Sequence, residues 1–460
     1  MERISSQISH KSEQCRDPEC EICKVKKPFK LPARIVEAVL NQRLIVFAGA
    51  GVSTEARGVF KTSLYESIRD ELRIPQSRKI SFPKLMSLYC SPPRGRRELL
   101  QRIRNRFDQM KKFPEIRRFA TRFHRELSTI PYIQEIVTTN WDDLFECECD
   151  AAPMVTPDDF AAFSDVPGRK VFKIHGSVNN IGSIVATEQD YRRCYRRLQT
   201  GLIGSALKVL LSTKIAVFMG YSFQDEDFRR IYRLLNKEAK QLLPHSYIVT
   251  LSDNAEETLI SLGMNLTVIT TDATFFVETL KQQLIKRKVM LPDQRFDGIQ
   301  KALDRLFYAR SSLIKRINYQ SNPEVIFCIA YQDGLRHAFE DISGTKKSGR
   351  FSDPQYVHNM IHSYERIAQQ LRQARSYHDL AYVEGFLNGM AYLLGDDTAR
   401  RKLPLYFLYG HEGIKTLKEY RKLSKRSEKL HKSAYAYAKR TVQRLGLKRG
   451  DIVFGHTPFL

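Results

Sequence analysis

Six short stretches of this chain are apolar at nearly every position: RLIVFA (43–48), EIVTT (135–139), VFKIH (171–175), KIAVFM (214–219), HSYIVT (245–250) and NLTVIT (265–270). A strand with one wet face alternates, whereas a strand covered on both faces does not. The pattern therefore predicts buried strands of a parallel sheet. Between them LKVLLS, DEDFRRIYRLLNKEAKQLL and NAEETLISLGM carry helical spacing and predict the crossovers that parallel strands require.

The expected fold class is α/β, a Rossmann-like doubly wound parallel sheet over residues 31–289. A long insert at 61–130 exceeds a simple crossover. It contains RELLQRIRNRFDQMKKF and PEIRRFATRFHREL, which are basic and amphipathic and predict a helical cap over the carboxyl edge of the sheet. Its arginines either meet phosphates or form a solvated face. Residues 290–460 lose the strand signal and predict a basic, mainly α-helical C-terminal domain. There Tyr420, Leu423, Leu430, Ala434 and Tyr437 form one helical seam. The seam packs a core, or it offers a surface to a partner or to nucleic acid.

Composition narrows the class. The 460 residues are 42% hydrophobic and 10% aromatic, as in a soluble globular protein, and no apolar run is long enough to span a bilayer. The start, MERISSQISHKSEQC, lacks the apolar core of a secretion signal, so a cytoplasmic protein is expected, with no membrane partner. A formal charge of +24 asks for an anionic partner, nucleotide or nucleic acid. Eight cysteines at this length are no disulfide scaffold. Cys15, Cys20 and Cys23, with His10 upstream, could hold zinc in the arm 1–30. Paired CxxC halves are absent, so a reduced arm is the favoured reading and no metal site is assigned. Cys147 and Cys149 read as packing or incidental residues.

Chemistry gathers where the predicted strands end. Gly49-Ala50-Gly51-Val52-Ser53 follows the first, Thr139-Asn140-Trp141-Asp142-Asp143 the second, His175-Gly176-Ser177 the third and Gly220-Tyr221-Ser222 the fourth. In open α/β sheets, ligands lie outside the carboxyl ends of the strands. Glycines let backbone N–H groups approach a pyrophosphate. Ser53 and Ser222 can donate to phosphate or ribose, and Asn140 offers both an acceptor and donors. His175 exchanges a proton near neutral pH without special tuning. Each alone is weak: Thr54 stands where a G-x-G-x-x-G turn would have its third glycine, and Asp143 and Asp227 read as turn or capping residues.

Taken in order, the four ends resemble the sirtuin family. FAGAGVS is similar to its GAG-[IV]-S turn, VTTNWDDLFE to its TQN-[IV]-D segment, KIHGS to the segment bearing its histidine, and MGYSFQDEDF to its later G-[TY]-S loop. SIVATEQDY resembles a divergent branch, the sirtuin-like domains of bacterial antiphage defence proteins that hydrolyse NAD. The resemblance implies that Gly49, Ala50, Gly51 and Ser53 bind phosphate. It implies that Asn140 and Asp142 hold the nicotinamide ribose and pocket, and that His175 is the base. Gly220 and Ser222 would lie over the adenosine ribose and phosphate. The PDFR segment and the two zinc-holding CxxC pairs of the family's protein deacylases are absent, which argues against deacylation.

The implied activity is an NAD+ glycohydrolase that releases nicotinamide and ADP-ribose, with NAD as substrate and with Asn140 and His175 catalytic. The implied setting is gated antiphage defence by abortive infection through NAD depletion. A homo-oligomer, with a HerA-type ATPase or another defence protein as partner, is the expected assembly. The alternatives are an ADP-ribosyl or acyl transferase of sirtuin type, or a non-catalytic NAD or ADP-ribose sensor with nucleic-acid-binding C-terminal helices.

Overall fold

The computed structural model describes residues 25–395, apart from 55, 57–58, 164, 223–225, 237–243, 265 and 317, together with 429–451. His10, Cys15, Cys20 and Cys23, as well as Tyr420 and Leu423 of the seam, lie outside the described residues. The chain divides into two compact units, Met1–Leu284 and Ile285–Leu460.

The first unit is built on seven strands: β1 (Leu44–Ala48), β2 (Glu135–Thr138), β3 (Ala152–Met154), β4 (Lys170–Lys173), β5 (Ile215–Met219), β6 (Ser246–Thr250) and β7 (Leu266–Thr270). They lie in the order β3-β4-β2-β1-β5-β6-β7. Every neighbouring pair is parallel. All five residues of β1 are buried, with Val46 level with Ile136 on one side and Val217 on the other. Full burial of the central strand explains its unbroken apolar run. From β1 the chain adds β2, passes to the edge strand β3, comes back to place β4 between those two, and then crosses to put β5 on the other flank of β1. The sheet thus reverses direction at β1/β5, the switch point where doubly wound sheets open a crevice. Only the edge strand β3 escapes the sequence pattern; it is three residues long and contains Pro153.

Among the described residues, five α-helices fill the stretch between β1 and β2. The longest, α1 (Gly95–Lys112), turns Leu99, Ile103, Phe107 and Met110 inward at helical spacing, onto a core shared with Leu64, Ile68, Leu85 and Met86. The expected cap does meet the carboxyl edge. Lys111 pairs with Asp143 at 2.6 Å, just beyond β2. Arg117 pairs with Glu148 at 2.6 Å, on α2 (Leu144–Cys149). Arg96 of α1 donates to Asp190 and to the carbonyl of Ile184. Asp190 lies in the first turn of α3 (Glu188–Thr200), which Thr187 starts with a capping box closed by Asp190. Two further crossovers, α4 (Leu202–Thr213) and α5 (Glu226–Asn236), cover the same face of the sheet as α3.

The described part of the second unit is helical: α6 (Gln294–Arg316), α7 (Val325–Gly344), α8 (Pro354–Gln373), α9 (Tyr377–Leu394) and α10 (Lys429–Leu445), with two short 3₁₀ turns. Ala434 is buried and Tyr437 packs on Phe327 and Tyr377, so this end of the seam is core. Cys149 is buried and Cys147 exposed. Among the described residues, no helix is long and apolar enough to cross a membrane and no His/Cys/Asp/Glu group could hold a metal ion.

Candidate active site

The glycine turn is set by contact between the ends of β1 and β5. Gly49 N–H donates to Met219 O at 2.8 Å and Gly51 N–H to Gly220 O at 3.0 Å. A Cβ on Gly49 would stand 2.5 Å from Gly220 O, and one on Gly220 2.7 Å from Val52 N. Gly220 also has φ +73°, a left-handed value that side chains disfavour. These glycines let two backbones touch at the switch point. Tyr221 closes the contact by donating its hydroxyl to Ala48 O at 3.2 Å. Beyond Gly49, Ala50 is half-buried, Gly51 exposed and Ser53 wholly buried.

Ser53 meets the loop after β2. Asn140 Nδ2 donates to Gly49 O at 3.1 Å and to Ser53 Oγ at 3.0 Å. Ser53 Oγ donates in turn to Asp142 Oδ2 at 2.9 Å. The other Asp142 oxygen accepts the Leu144 amide, which opens α2. Thr138 supports the network from below: its hydroxyl bonds Ala48 O, and its Oγ1 accepts the Asn140 amide. Lys173, wholly buried, donates to Asp142 O and pairs with Glu146 at 2.9 Å. Burial pushes the Glu146 carboxyl up despite that lysine. Burial would also raise Asp143, but the bond and charge of Lys111, with further hydrogen bonds including that from Asn179, together outweigh it and hold this carboxyl below its usual range. The Ser53–Asn140–Asp142 bridge is paired at each of these contacts, and such pairing rigidifies a site because a polar group left unpaired in low dielectric is costly.

His175 follows β4, next to β2 in the sheet, and is only 4% exposed. Its Nε2 lies 3.2 Å from Asp227 Oδ2, an ion-pair distance without a well-aligned hydrogen bond. Its ring meets the edge of Tyr191 on α3. Asp227, in the first turn of α5, accepts the Tyr195 hydroxyl on its other oxygen at 2.8 Å. Burial alone would depress the histidine, yet the Asp227 carboxylate outweighs it and pushes the pKa up to about 10. Burial and Asp227 together push the Tyr195 phenol upward.

The structure thus joins Gly49, Ser53, Asn140, Asp142 and Gly220 in one contiguous set. It gives His175 a separate set of partners, Asp227, Tyr191 and Tyr195, and leaves Ser222 exposed. Asp227 does not simply turn or cap the chain, as its sequence position suggests; it faces the histidine. Nothing in local spacing links a carboxylate on α5 to a histidine after β4.

Residues 134–269, which contain Asn140, Asp142, His175, Gly220, Ser222 and Asp227, match the SIR2-like domain family. This part of the first unit is therefore similar to a Sir2-type domain. Three curated relatives, each called NAD(+) hydrolase ThsA, are similar to the chain. The protein of Enterococcus faecium is 29% identical over 203 residues, 43% of this chain and 41% of that protein. That of Bacillus cereus (strain MSX-D12) is 25% identical over 223 residues, covering 44% and 45%. That of Acinetobacter baumannii (strain 532279) is 25% identical over 257 residues, covering 55% and 49%. The chain spans less than half the length of each of these relatives.

Proposed function

We propose that the chain is an NAD+ glycohydrolase, cleaving NAD+ to nicotinamide and ADP-ribose. The observation that carries this reading is the buried bridge from the glycine turn at the switch point, through Ser53, to Asn140 and Asp142. It joins a dinucleotide-phosphate turn to polar groups suited to a ribose, within a domain similar to three NAD(+) hydrolases.

Nicotinamide departs neutral from a cationic glycosidic nitrogen, so its departure needs no acid. The protein has to hold the ribose, shield the developing oxocarbenium and bring water to the anomeric carbon. The turn Gly49, Ala50 and Gly51 lies on the pyrophosphate side, braced from within by the buried Ser53, with Gly220 and Ser222 over the adenosine half. Asn140 and Asp142 orient the ribose and the attacking water. His175 takes the proton that water loses, a role that typically contributes about 10²–10⁴-fold.

An ungated NAD+ hydrolase would be toxic to its host, and the histidine's pairing with Asp227 supports a controlled enzyme. We take the role to be antiphage defence in the cytoplasm, gated by self-assembly or by a partner such as a HerA-type ATPase. The test is incubation of the purified chain with NAD+, with and without candidate partners, and chromatography of the products. Nicotinamide and free ADP-ribose in equal amounts support hydrolysis, and ADP-ribose retained on protein supports transfer. Binding of NAD+ without release of nicotinamide would make the domain a sensor.

A further inference from the structure

The His175–Asp227 contact sits awkwardly with a histidine that must accept a proton. Among the described residues, the titratable and charged groups at this ring are Asp227 on α5, and Tyr191, Cys194 and Tyr195 on α3. The Arg230 guanidinium lies 4.0 Å from the centre of the Tyr195 ring. Both members of the pair are shielded, with side-chain exposures of 4% and 12%. The carboxylate itself is held from behind, because Tyr195 bonds the oxygen that His175 does not.

We infer that Asp227 is a positioning residue for His175: anchored by Tyr195, its carboxylate stands 3.2 Å from Nε2 and holds the ring as an ion pair, so turnover requires this contact to open. The inference rests on the NAD+ hydrolase reading. In the step concerned, the C–N pair leaves with nicotinamide while a water oxygen bonds the anomeric carbon. The O–H bond that breaks delivers its proton to the imidazole ring. An imidazolium paired with Asp227 has no lone pair to receive it. The charge balance agrees with the geometry, since a histidine titrating near 10 is almost wholly protonated at neutral pH. The two partners come from different elements, the end of β4 and the first turn of α5.

The test uses the full chain with histidine rings ¹³C-labelled and the His175 signal assigned by its loss in His175→Gln. In the unsubstituted protein, His175 should stay protonated through neutral pH and titrate near 10. In Asp227→Asn it should titrate several units lower. NAD+ turnover at pH 7 should rise at least about tenfold in Asp227→Asn, as each unit of pKa is a factor of ten in neutral imidazole. The KM for NAD+ should change less than about twofold, because uniform binding is untouched. The alkaline shift of the unsubstituted pH profile should disappear. Tyr195→Phe, which keeps the buried charge pair and loses only its anchor, should give intermediate values and covers the case in which Asp227→Asn does not fold.

A histidine titrating at its ordinary value in the unsubstituted protein overturns the inference. So does slower turnover in Asp227→Asn, which would make the carboxylate a working partner of the base. The titration needs no NAD+, so failure of every form to cleave NAD+ would remove the hydrolase reading while the pairing is still decided.

Discussion

The hydroxyl of Ser53 stands between Asn140 and Asp142, accepting from the first at 3.0 Å and donating to the second at 2.9 Å. One buried serine thereby fixes the glycine turn after β1 to the loop after β2. Ser53→Ala leaves Asp142 Oδ2 and one Asn140 donor without this partner, at a cost of about 1–3 kcal/mol. A lowered melting temperature and a raised KM for NAD+ are expected. Asn140→Ala should keep the fold by circular dichroism while turnover falls about 10²–10³-fold, the usual loss for a positioned polar group acting in the transition state. Full NAD+ cleavage by both Asn140→Ala and His175→Ala would end the assignment.

The turn itself is checked at Gly220. Alanine there must adopt φ +73° with its Cβ 2.7 Å from Val52 N, so the ends of β1 and β5 must separate. Strain of this kind costs about 1–3 kcal/mol. Gly220→Ala should therefore melt lower and bind NAD+ at least about tenfold more weakly by calorimetry. Gly182→Ala is the control: its Cβ would meet nothing closer than 3.8 Å, and neither property should move.

How much of this was legible beforehand follows from the range of each interaction. Central strands announce themselves because burial on both faces removes every polar position, as in Leu44–Ala48. The glycine turn was visible because φ and close approach constrain residue type locally. Ser53, Asn140 and Asp142 were legible as strand-end polar residues, but not as one network, because their bonds join separate segments. Asp227 was misread for the same reason: its sequence neighbours suggest a helix start, while its partner lies after a different strand. Arg96 bonding Ile184 and Asp190 was equally invisible, since a basic helix face looks the same whether or not some of its arginines find carboxylates.

Two histidines should give the first unit opposite pH limits. His124 is wholly buried against Phe123 and Phe145, and burial, despite nearby carboxylates, pulls its pKa down to about 4. The unfolded chain binds that proton near 6.5, so stability falls as pH drops from about 6.5 to about 4, by up to about 3 kcal/mol. His175 has the reverse sign. Its pairing stabilises fully below about 6.5, and that contribution is lost as pH rises toward about 10. Denaturant unfolding across pH should show both slopes. His124→Phe should flatten the acid one alone, whereas Asp227→Asn should remove the alkaline one and steepen the acid one, because burial then acts on His175 without its carboxylate. An acid slope unchanged in His124→Phe would place the sensitivity elsewhere.

In the second unit, two glycines set the distance between α7 and α9. A Cβ on Gly334 would lie 1.9 Å from Tyr382 O, and one on Gly385 2.0 Å from Tyr331 O, so the helices touch backbone to backbone in both directions. Around this contact every residue from Val325 to Leu335 is buried, so the pair cannot part without opening the core. Gly385→Ala should cost more than the about 1–3 kcal/mol usual for overpacking, because the obstacle is main chain that no rotamer change relieves. Gly344→Ala, at the open end of α7 with nothing within 4 Å of its Cβ, should instead be neutral or gain up to about 1 kcal/mol from helix propensity. Calorimetric melting of the two variants side by side separates these outcomes, and a neutral Gly385→Ala would mean that the helices cross further apart than this packing requires.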